Sequence, residues 1–411
     1  MQKLKGKIEL LPQQVFNEFQ IKLHNLLCSF LSGGYPNRIV RLLYPISDGN
    51  NIEIFQKYFK DIQRILFQLG EDEKCQNIFS YTRYNLKDIA FIISELYEIY
   101  DKIAQKYQNF TIRKVIRCKN RFHPKIYKNK DAIYFEPVIL LWKYINRYLK
   151  DSLLGFFLHG SVSTLDFIKG YSDLDTLLIL KKEVIKNHKK LLVFRKQLIN
   201  SLRYLFLFDP FQHHEHFIYS EYEMFYYPQM LFPLILFEYS TSLFETDKEL
   251  FFNERDCDIE CLKILENRVR YFSGQVERNC PPKNLYDMKF FLSTIMLMPT
   301  LYLQANGCLV YKKYSFEMAK KDFTDETWDI VEQVSKIREG WSYRNTFPNW
   351  KKICRFYPNP YFIKMPDLKL NNKIPIWIYD ILRKSYQKDA YTLAYEMYQK
   401  TLVRRSPIYG L

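Results

Sequence analysis

Two aspartates one residue apart, Asp173 and Asp175, stand at the start of the apolar run LDTLLIL, and about a dozen residues earlier Gly160-Ser161 closes the apolar run LLGFFL. Side chains alternate across a strand, so the two carboxylates are expected on one face, with Leu174 turned into the core. Like charges that close raise each other's pKa unless a cation lies between them. A hard divalent ion meets that need, and Mg²⁺ is commonly held by one or two carboxylates together with substrate phosphates. The pair therefore predicts a metal-nucleotide site. Gly160 fits the same site, because glycine lets the backbone approach a phosphate, and the amides that open the next turn, with the Ser161 hydroxyl, can donate to it.

Three of the seven histidines, His213, His214 and His216, fall together ahead of another apolar stretch. On a strand, His214 and His216 would share a face. They are open to three readings: zinc ligands, residues lining or supporting a nucleotide cleft, or packed and solvated side chains. A structural zinc site wants four ligands, and no cysteine pair is near.

The elements that must position these groups follow from periodicity. From about residue 12 to 105 apolar residues recur at helical spacing, as in IEIFQKYFKDIQRILFQLG and LKDIAFIISELYEIYDKIAQKY. The segment AIYFEPVILLWKYINRYLKD reads as a helix leading into the strand LLGFFL. After the turn-rich piece come the strand LDTLLIL, the long helix KEVIKNHKKLLVFRKQLINSLRYLF and a candidate strand HHEHFIYS. Strand and helix in alternation imply an α/β unit with both sheet faces covered. Beyond about residue 255 helical spacing returns, through IECLKILENRVRYFSG, LYDMKFFLSTIMLMPTLYLQA, DETWDIVEQVSKIREGW and IPIWIYDILRKSYQKDAYTLAYEMYQK. The expected organisation is a helical N-terminal domain over 1–134, a small α/β domain over 135–255 and a helical C-terminal domain over 256–411. The basic stretch Lys106 to Lys130 is expected to connect the first two.

The run FFLHGS, the following turn and YSDLDTLLIL together resemble the nucleotidyltransferases of the polymerase-beta-like superfamily. Their signature is an apolar strand ending in Gly-Ser or Gly-Gly, roughly ten intervening residues, and a strand carrying Asp-x-Asp or Asp-x-Glu; Ser172 matches the serine that often precedes the first aspartate. The resemblance extends in context over roughly residues 135 to 320. It implies a mixed α+β fold: a small nucleotidyltransferase domain with a mixed sheet, flanked by helical domains. It also implies Mg²⁺ or Mn²⁺ on Asp173 and Asp175, a nucleoside triphosphate cradled by Gly160, Ser161 and Ser172, and a third carboxylate on a later strand. Glu215, immediately before an apolar run, is the acid that pattern selects, although His214 and His216 flank it where the family has apolar residues. Two-domain members related to the kanamycin-modifying enzymes close the cleft with their helical domain, often with a lysine and a serine on the triphosphate. Lys313 and Ser315 match that role; Ser315 as a helix cap is the other reading.

The implied activity is transfer of a nucleoside monophosphate, most plausibly AMP, to an acceptor hydroxyl with release of pyrophosphate. The acceptor is open between a small molecule, a protein, as for the minimal nucleotidyltransferases of toxin-antitoxin systems, and an RNA. A net charge of +16 makes nucleic acid a possible partner. A fold kept for nucleotide sensing or RNA binding, without the reaction, is the alternative.

The chain of 411 residues is 47% hydrophobic and 26% charged, which excludes disorder and allows a sizeable core. Its eight cysteines, at 28, 75, 118, 257, 261, 280, 308 and 354, form no C-x-x-C pair and fit reduced thiols in a cytosol. The start, MQKLKGKIELLPQQ, lacks the apolar core of a signal peptide. Phe290 to Leu303 is too short and proline-broken to span a bilayer comfortably and predicts a buried helix. A cytoplasmic protein without a membrane span is the expectation.

Overall fold

Leu177, Leu178, Ile179 and Leu180 are all fully buried, so the strand they form has both faces covered and must lie inside a sheet. In the computed structural model, residues 12–32, 52–71, 78, 85–107, 114–118, 120–209, 211–230, 232–244, 249–255, 257–341 and 373–409 are described. They form a mixed α+β fold. The N-terminal segment MQKLKGKIELL, Cys75, Arg113, Lys119 and Cys354 lie outside the described residues.

Five strands make the main sheet: β1 (Asn120–Arg121), β2 (Leu153–Leu158), β3 (Thr176–Leu180), β4 (Phe217–Ser220) and β5 (Thr241–Ser242), in the order β1-β5-β2-β3-β4. β2 runs antiparallel to β3 and β5, while β4 is parallel to β3 and β1 to β5. Alternation assigns the two faces. Phe156, Leu158, Leu178, Leu180 and Ile218 join one core cluster, and Phe157, Leu177, Ile179 and Tyr219 join another with Phe232, Phe237 and Phe252.

The first face is covered by helices. α1 (Pro12–Leu31), α2 (Ile52–Gln68) and α3 (Leu86–Tyr107) precede the sheet, followed by α4 (Glu136–Tyr148), the short α5 (Gly160–Thr164) and α6 (His188–Phe208). The long helix expected from Lys182 is split at Asn187, whose side chain accepts from the Lys190 N–H at 3.0 Å and caps α6. α3 and α4 pack on α6, and α1 packs on α2 and α3. One continuous core therefore joins the N-terminal helices to the sheet, and the boundary expected at 134 falls inside it. The basic stretch is also more than a connector, since Lys114–Ile116 pairs antiparallel with Leu250–Phe252 and β1 joins the sheet edge.

A second core is built by α7 (Asp258–Glu277), α8 (Leu285–Ala305), α9 (Lys312–Lys320), α10 (Asp325–Glu339) and α11 (Tyr386–Tyr409). α8 is buried on nearly all sides, from Leu285 through Ala305, with Pro299 inside it, as the run Phe290 to Leu303 predicts. The C-terminal helix expected from Ile374 is two helices, Ile376–Ile381 and α11. Among the described residues no helix is long and apolar enough to cross a membrane.

Candidate functional site

β2 and β3 are antiparallel with Leu158 opposite Thr176, so the residues just past the end of β2 lie beside those just before β3. The His159 N–H donates to the Asp175 carbonyl oxygen at 3.1 Å, extending the ladder by one step into the motif. β3 begins at Thr176, not at Leu174, and the two aspartates occupy the extended segment before it. Gln212 fixes that segment: its Oε1 accepts from the Leu174 N–H at 3.0 Å and its Nε2 donates to the Leu174 carbonyl at 3.2 Å. Leu174 is thereby held in the core, and its two neighbours face out.

Gly160 has φ +65°, and a Cβ there would come 2.4 Å from Asp175 Oδ2. The left-handed backbone favours glycine here, and a Cβ would also push the Asp175 carboxylate aside. Ser161 Oγ donates to Ser172 Oγ at 3.0 Å, and Ser172 Oγ accepts from the Ile168 N–H at 2.9 Å. Ser172 is buried, so it clamps the loop and leaves Ser161 as the hydroxyl nearer the open side.

The aspartates are surrounded by a buried ammonium and two imidazoles. Lys289, on α8 and without exposed side-chain surface, donates to Asp173 Oδ1, and its Nζ lies 2.5 Å from Asp209 Oδ2. His214 Nε2 lies 2.7 Å from Asp175 Oδ1 and 3.9 Å from Asp173 Oδ2, and His213 Nδ1 lies 3.8 Å from Asp173 Oδ2. An imidazole thus stands between the two carboxylates, where a cation was expected.

The electrostatics follow. Burial pushes the Asp173 carboxyl up, but Lys289, His213 and His214 together hold it well below the usual carboxylate range. Against burial, the His214 bond holds Asp175 low as well. Burial alone would lower His214, but Asp175 and Asp173 raise it to about 9, so it is an imidazolium at neutral pH. One ammonium cannot compensate two buried carboxylates, and burial with the charge of Asp173 pushes Asp209 up to about 8 in spite of Lys289. His159 and His216 are driven the other way by burial, to about 4 and about 3. The neutral His216 ring is held by Thr176 Oγ1 at 2.7 Å and Ser201 Oγ at 2.9 Å.

These groups open onto a cleft of about 560 Å³ between the sheet end and the helical C-terminal part. Gly160, Ser161, Asp173, Asp175 and His214 form one wall, while Lys312, Lys313 and Arg338 belong to the other. Lys313 is mostly exposed and ion-pairs with Asp166 at 3.4 Å. Burial and Arg338 push Lys312 down to about 8, and its ammonium has no partner among the described residues. Arg338 covers the Tyr171 ring at 5.2 Å.

Two expected residues fall elsewhere. Ser315 is buried, donates to the Lys312 carbonyl at 2.7 Å and pairs with Thr300 Oγ1 at 3.0 Å. It stabilises the first turn of α9 from behind and does not line the cleft. Glu215 is half-buried outside the cleft lining, in the irregular stretch that precedes β4 at Phe217. Its carbonyl oxygen lies 3.0 Å from His214 Nδ1, so His214 takes the place beside Asp175. The acid brought nearest to Asp173 is Asp209. Lys289 was missed, though a lone lysine inside an otherwise apolar helix is a signal for a buried acidic partner. His213 and His214 meet the cleft reading of the histidines and His216 the packed one. Among the described residues no group of three or more His, Cys, Asp or Glu side chains is arranged to hold a metal ion.

No family model, curated protein or solved structure matches the chain.

Proposed function

We infer that the cleft binds a nucleoside triphosphate and that the protein is a nucleotidyltransferase of the polymerase-beta-like type, transferring a nucleoside monophosphate to an acceptor hydroxyl and releasing pyrophosphate. The observation that carries this reading is the pairing of two aspartates on one wall of a cleft with Lys312, Lys313 and Arg338 on the other. A substrate with a cation on one side and a polyphosphate on the other matches that polarity. The order of strand, Gly-Ser turn and Asp-x-Asp strand supports it.

The donor set fits Mg²⁺ or Mn²⁺. Asp173 Oδ2 and Asp175 Oδ1 are hard oxygen donors turned toward one position, where the His214 imidazolium now stands in for a cation. Two carboxylates are what such an ion takes when phosphates and water complete its shell. When bound, the ion would offset phosphate charge and make the attacking hydroxyl more acidic. Phosphoryl transfer asks little else of a protein than position and charge. Lys312 and Lys313 supply compact cations for the phosphates, Arg338 a fork, and Ser161 a hydroxyl donor. His214, protonated at neutral pH, acts as a donor to phosphate oxygen, not as a base. In this reading Asp175, the more exposed of the two motif carboxylates, takes the acceptor proton.

A second reading is nucleotide binding without transfer. It is favoured by the engagement of Asp173 by Lys289 and of Asp175 by His214, and by the position of Glu215 outside the cleft. One experiment separates the two. Purified protein is incubated with each α-³²P-labelled NTP and Mg²⁺ or Mn²⁺, with and without total RNA and cell extract, beside Asp173→Asn and Asp175→Asn. Label on an acceptor that requires both aspartates is the result expected of an enzyme, and the labelled species names the acceptor class. Bound nucleotide without transfer supports the second reading, and neither binding nor transfer overturns both.

A further inference from the structure

Arg268, on α7, also lines the cleft, and neither the packing nor the nucleotide reading gives it a task. Its Nε is buried and has no hydrogen-bond partner. The acids of the same region are engaged elsewhere: Glu266 ion-pairs with Arg270, and Asp287 accepts from the Lys283 N–H at 3.3 Å, ahead of α8. Burial acts against the Arg268 charge, and among the described residues Tyr271 alone offsets it. A guanidinium that meets a cleft without an acid partner is fitted to an oxyanion from outside the chain.

Its position differs from that of the cations assigned to the triphosphate. α8 forms one side of the cleft, where Phe290, Ser293, Leu297, Thr300 and Gln304 recur at three and four spacing. At 1.5 Å per residue that face is about 21 Å long. Lys312 stands at the Thr300 end, because Ser315 bonds both Thr300 Oγ1 and the Lys312 carbonyl. Arg268 stands at the Phe290 end, because Tyr271, one turn further along α7, has its ring 5.7 Å from the Phe290 ring. Phe290 leads on to His213, with centroids 5.4 Å apart, and His213 Nδ1 to Asp173 Oδ2 at 3.8 Å. The charges of Asp173 and Asp175 act on Lys312 but not on Arg268. Two separate cationic positions therefore flank the aspartates.

We propose that Arg268 binds an oxyanion carried by the acceptor, a phosphate or a carboxylate, while the triphosphate occupies the Lys312 end. That the ligand at Arg268 is an acceptor rests on the nucleotidyltransferase reading. Transfer in line requires the attacking hydroxyl and the leaving pyrophosphate on opposite sides of the α-phosphorus. An acceptor anchored at Arg268 comes from the side opposite Lys312. Arg268 does not touch the reacting atoms. It holds the acceptor while the hydroxyl oxygen bonds to the α-phosphorus, the bond to the pyrophosphate oxygen breaks, and the hydroxyl proton passes to Asp175. The exposed Phe290 ring gives the body of the acceptor an apolar surface to lie on. A cationic acceptor would bring like charge to Arg268 and is selected against.

The test reads each arginine of the native full chain by its rate of modification with phenylglyoxal, followed by peptide mass spectrometry. Inorganic phosphate or acetate is compared with chloride of equal ionic strength, alone and with Mg²⁺-ATP. Exposed Arg270, on the same helix and paired with Glu266, is the reference. At about 10 mM anion, Arg268 is expected to slow about threefold or more, the mass-action factor for a Kd of a few millimolar, and Arg270 less than about 1.5-fold. The anion that slows Arg268 more names the group on the acceptor, and the protection should persist with Mg²⁺-ATP. No slowing by either anion, or slowing equal to that of Arg270, overturns the proposal. So does protection of Arg268 by Mg²⁺-ATP itself, which would give it to the triphosphate. Failure of the nucleotide reading looks different: Arg338 stays as reactive with Mg²⁺-ATP as without it, while the anions still protect Arg268. In the labelled-transfer assay, Arg268→Gln should raise the KM of the acceptor about tenfold or more and leave that of the triphosphate within about twofold. The reverse split overturns the assignment.

Discussion

Lys289 Nζ lies 2.5 Å from Asp209 Oδ2, both side chains are shut off from solvent, and the same ammonium also reaches Asp173. The motif segment is thereby tied to the helical C-terminal part by one buried ammonium shared between the Asp173 carboxylate and the Asp209 carboxyl. Removing one member of such a group leaves an uncompensated charge and costs about 3–5 kcal/mol. Lys289→Met is expected to lose stability of that order in urea unfolding. Asp209→Asn keeps a hydrogen-bond acceptor and removes a carboxyl that burial already holds protonated up to about 8, so it should lose far less. Equal losses in the two variants would contradict the assignment of the charge to Asp173 and Lys289.

Gly160 and Gly307 test what the glycine of the Gly-Ser pair does. Both have positive φ, but a Cβ at Gly307 meets nothing within 4 Å, whereas at Gly160 it meets Asp175. Gly307→Ala should cost only the left-handed backbone penalty, about 1–2 kcal/mol. Gly160→Ala should cost clearly more and also displace Asp175; if the cleft takes a metal-nucleotide complex as proposed, that variant weakens its binding and Gly307→Ala leaves it intact. Identical behaviour of the two variants in calorimetry and nucleotide titration would refute the steric account.

How much of this was legible depended on whether the signal was local. LLGFFL and TLLIL announced a buried sheet because both faces had to be apolar, and the 3.6-residue period marked the helices on either side. The aspartate pair and its glycine were visible as types and spacing. His214 beside Asp175 was not, because β4 starts at Phe217, four residues later than the pattern HHEHFIYS implied, so His213 to His216 do not alternate as a strand, and Glu215 falls outside the cleft lining while His214 is in it. Lys289 is 116 residues from Asp173 in sequence, and only the tertiary packing of α8 brings them together. The two-residue strand β1 and the pairing of Lys114–Ile116 were hidden by their shortness, since periodicity needs more residues to register.

Stability should fall on the alkaline side of neutrality. His214 has a folded pKa of about 9 against about 6.5 unfolded. Its contribution is complete below pH 6.5 and is lost as pH rises through 9, because the folded state binds more protons in that window. The amount is on the order of 3 kcal/mol. Asp209, raised to about 8, acts with the same sign up to that pH. His214→Gln should therefore remove the decline above pH 8 and leave part of the decline below it. An unfolding free energy that is flat from pH 6.5 to 9 in the wild type would contradict both assignments.

Lys312 and Ser315 lie three residues apart on α9 but face different surroundings. Lys312 lines the cleft with no hydrogen-bond or ion-pair partner among the described residues, while Ser315 bonds to Thr300 and to the Lys312 carbonyl within the packed interior. If phosphates occupy the cleft, Lys312→Ala removes one charge-assisted contact and should weaken nucleotide triphosphate binding by about 1.5–3 kcal/mol, tenfold or more in Kd. The effect should shrink for the monophosphate, whose shorter chain has less charge to offer. Ser315→Ala should leave Kd within about twofold and instead lower thermal stability by about 1 kcal/mol, the worth of a buried hydrogen bond. Isothermal titration with the triphosphate and monophosphate, beside thermal unfolding, reads both effects. The reverse outcome, a nucleotide defect in Ser315→Ala with Lys312→Ala silent, would put the phosphates on a different wall from the one the geometry favours.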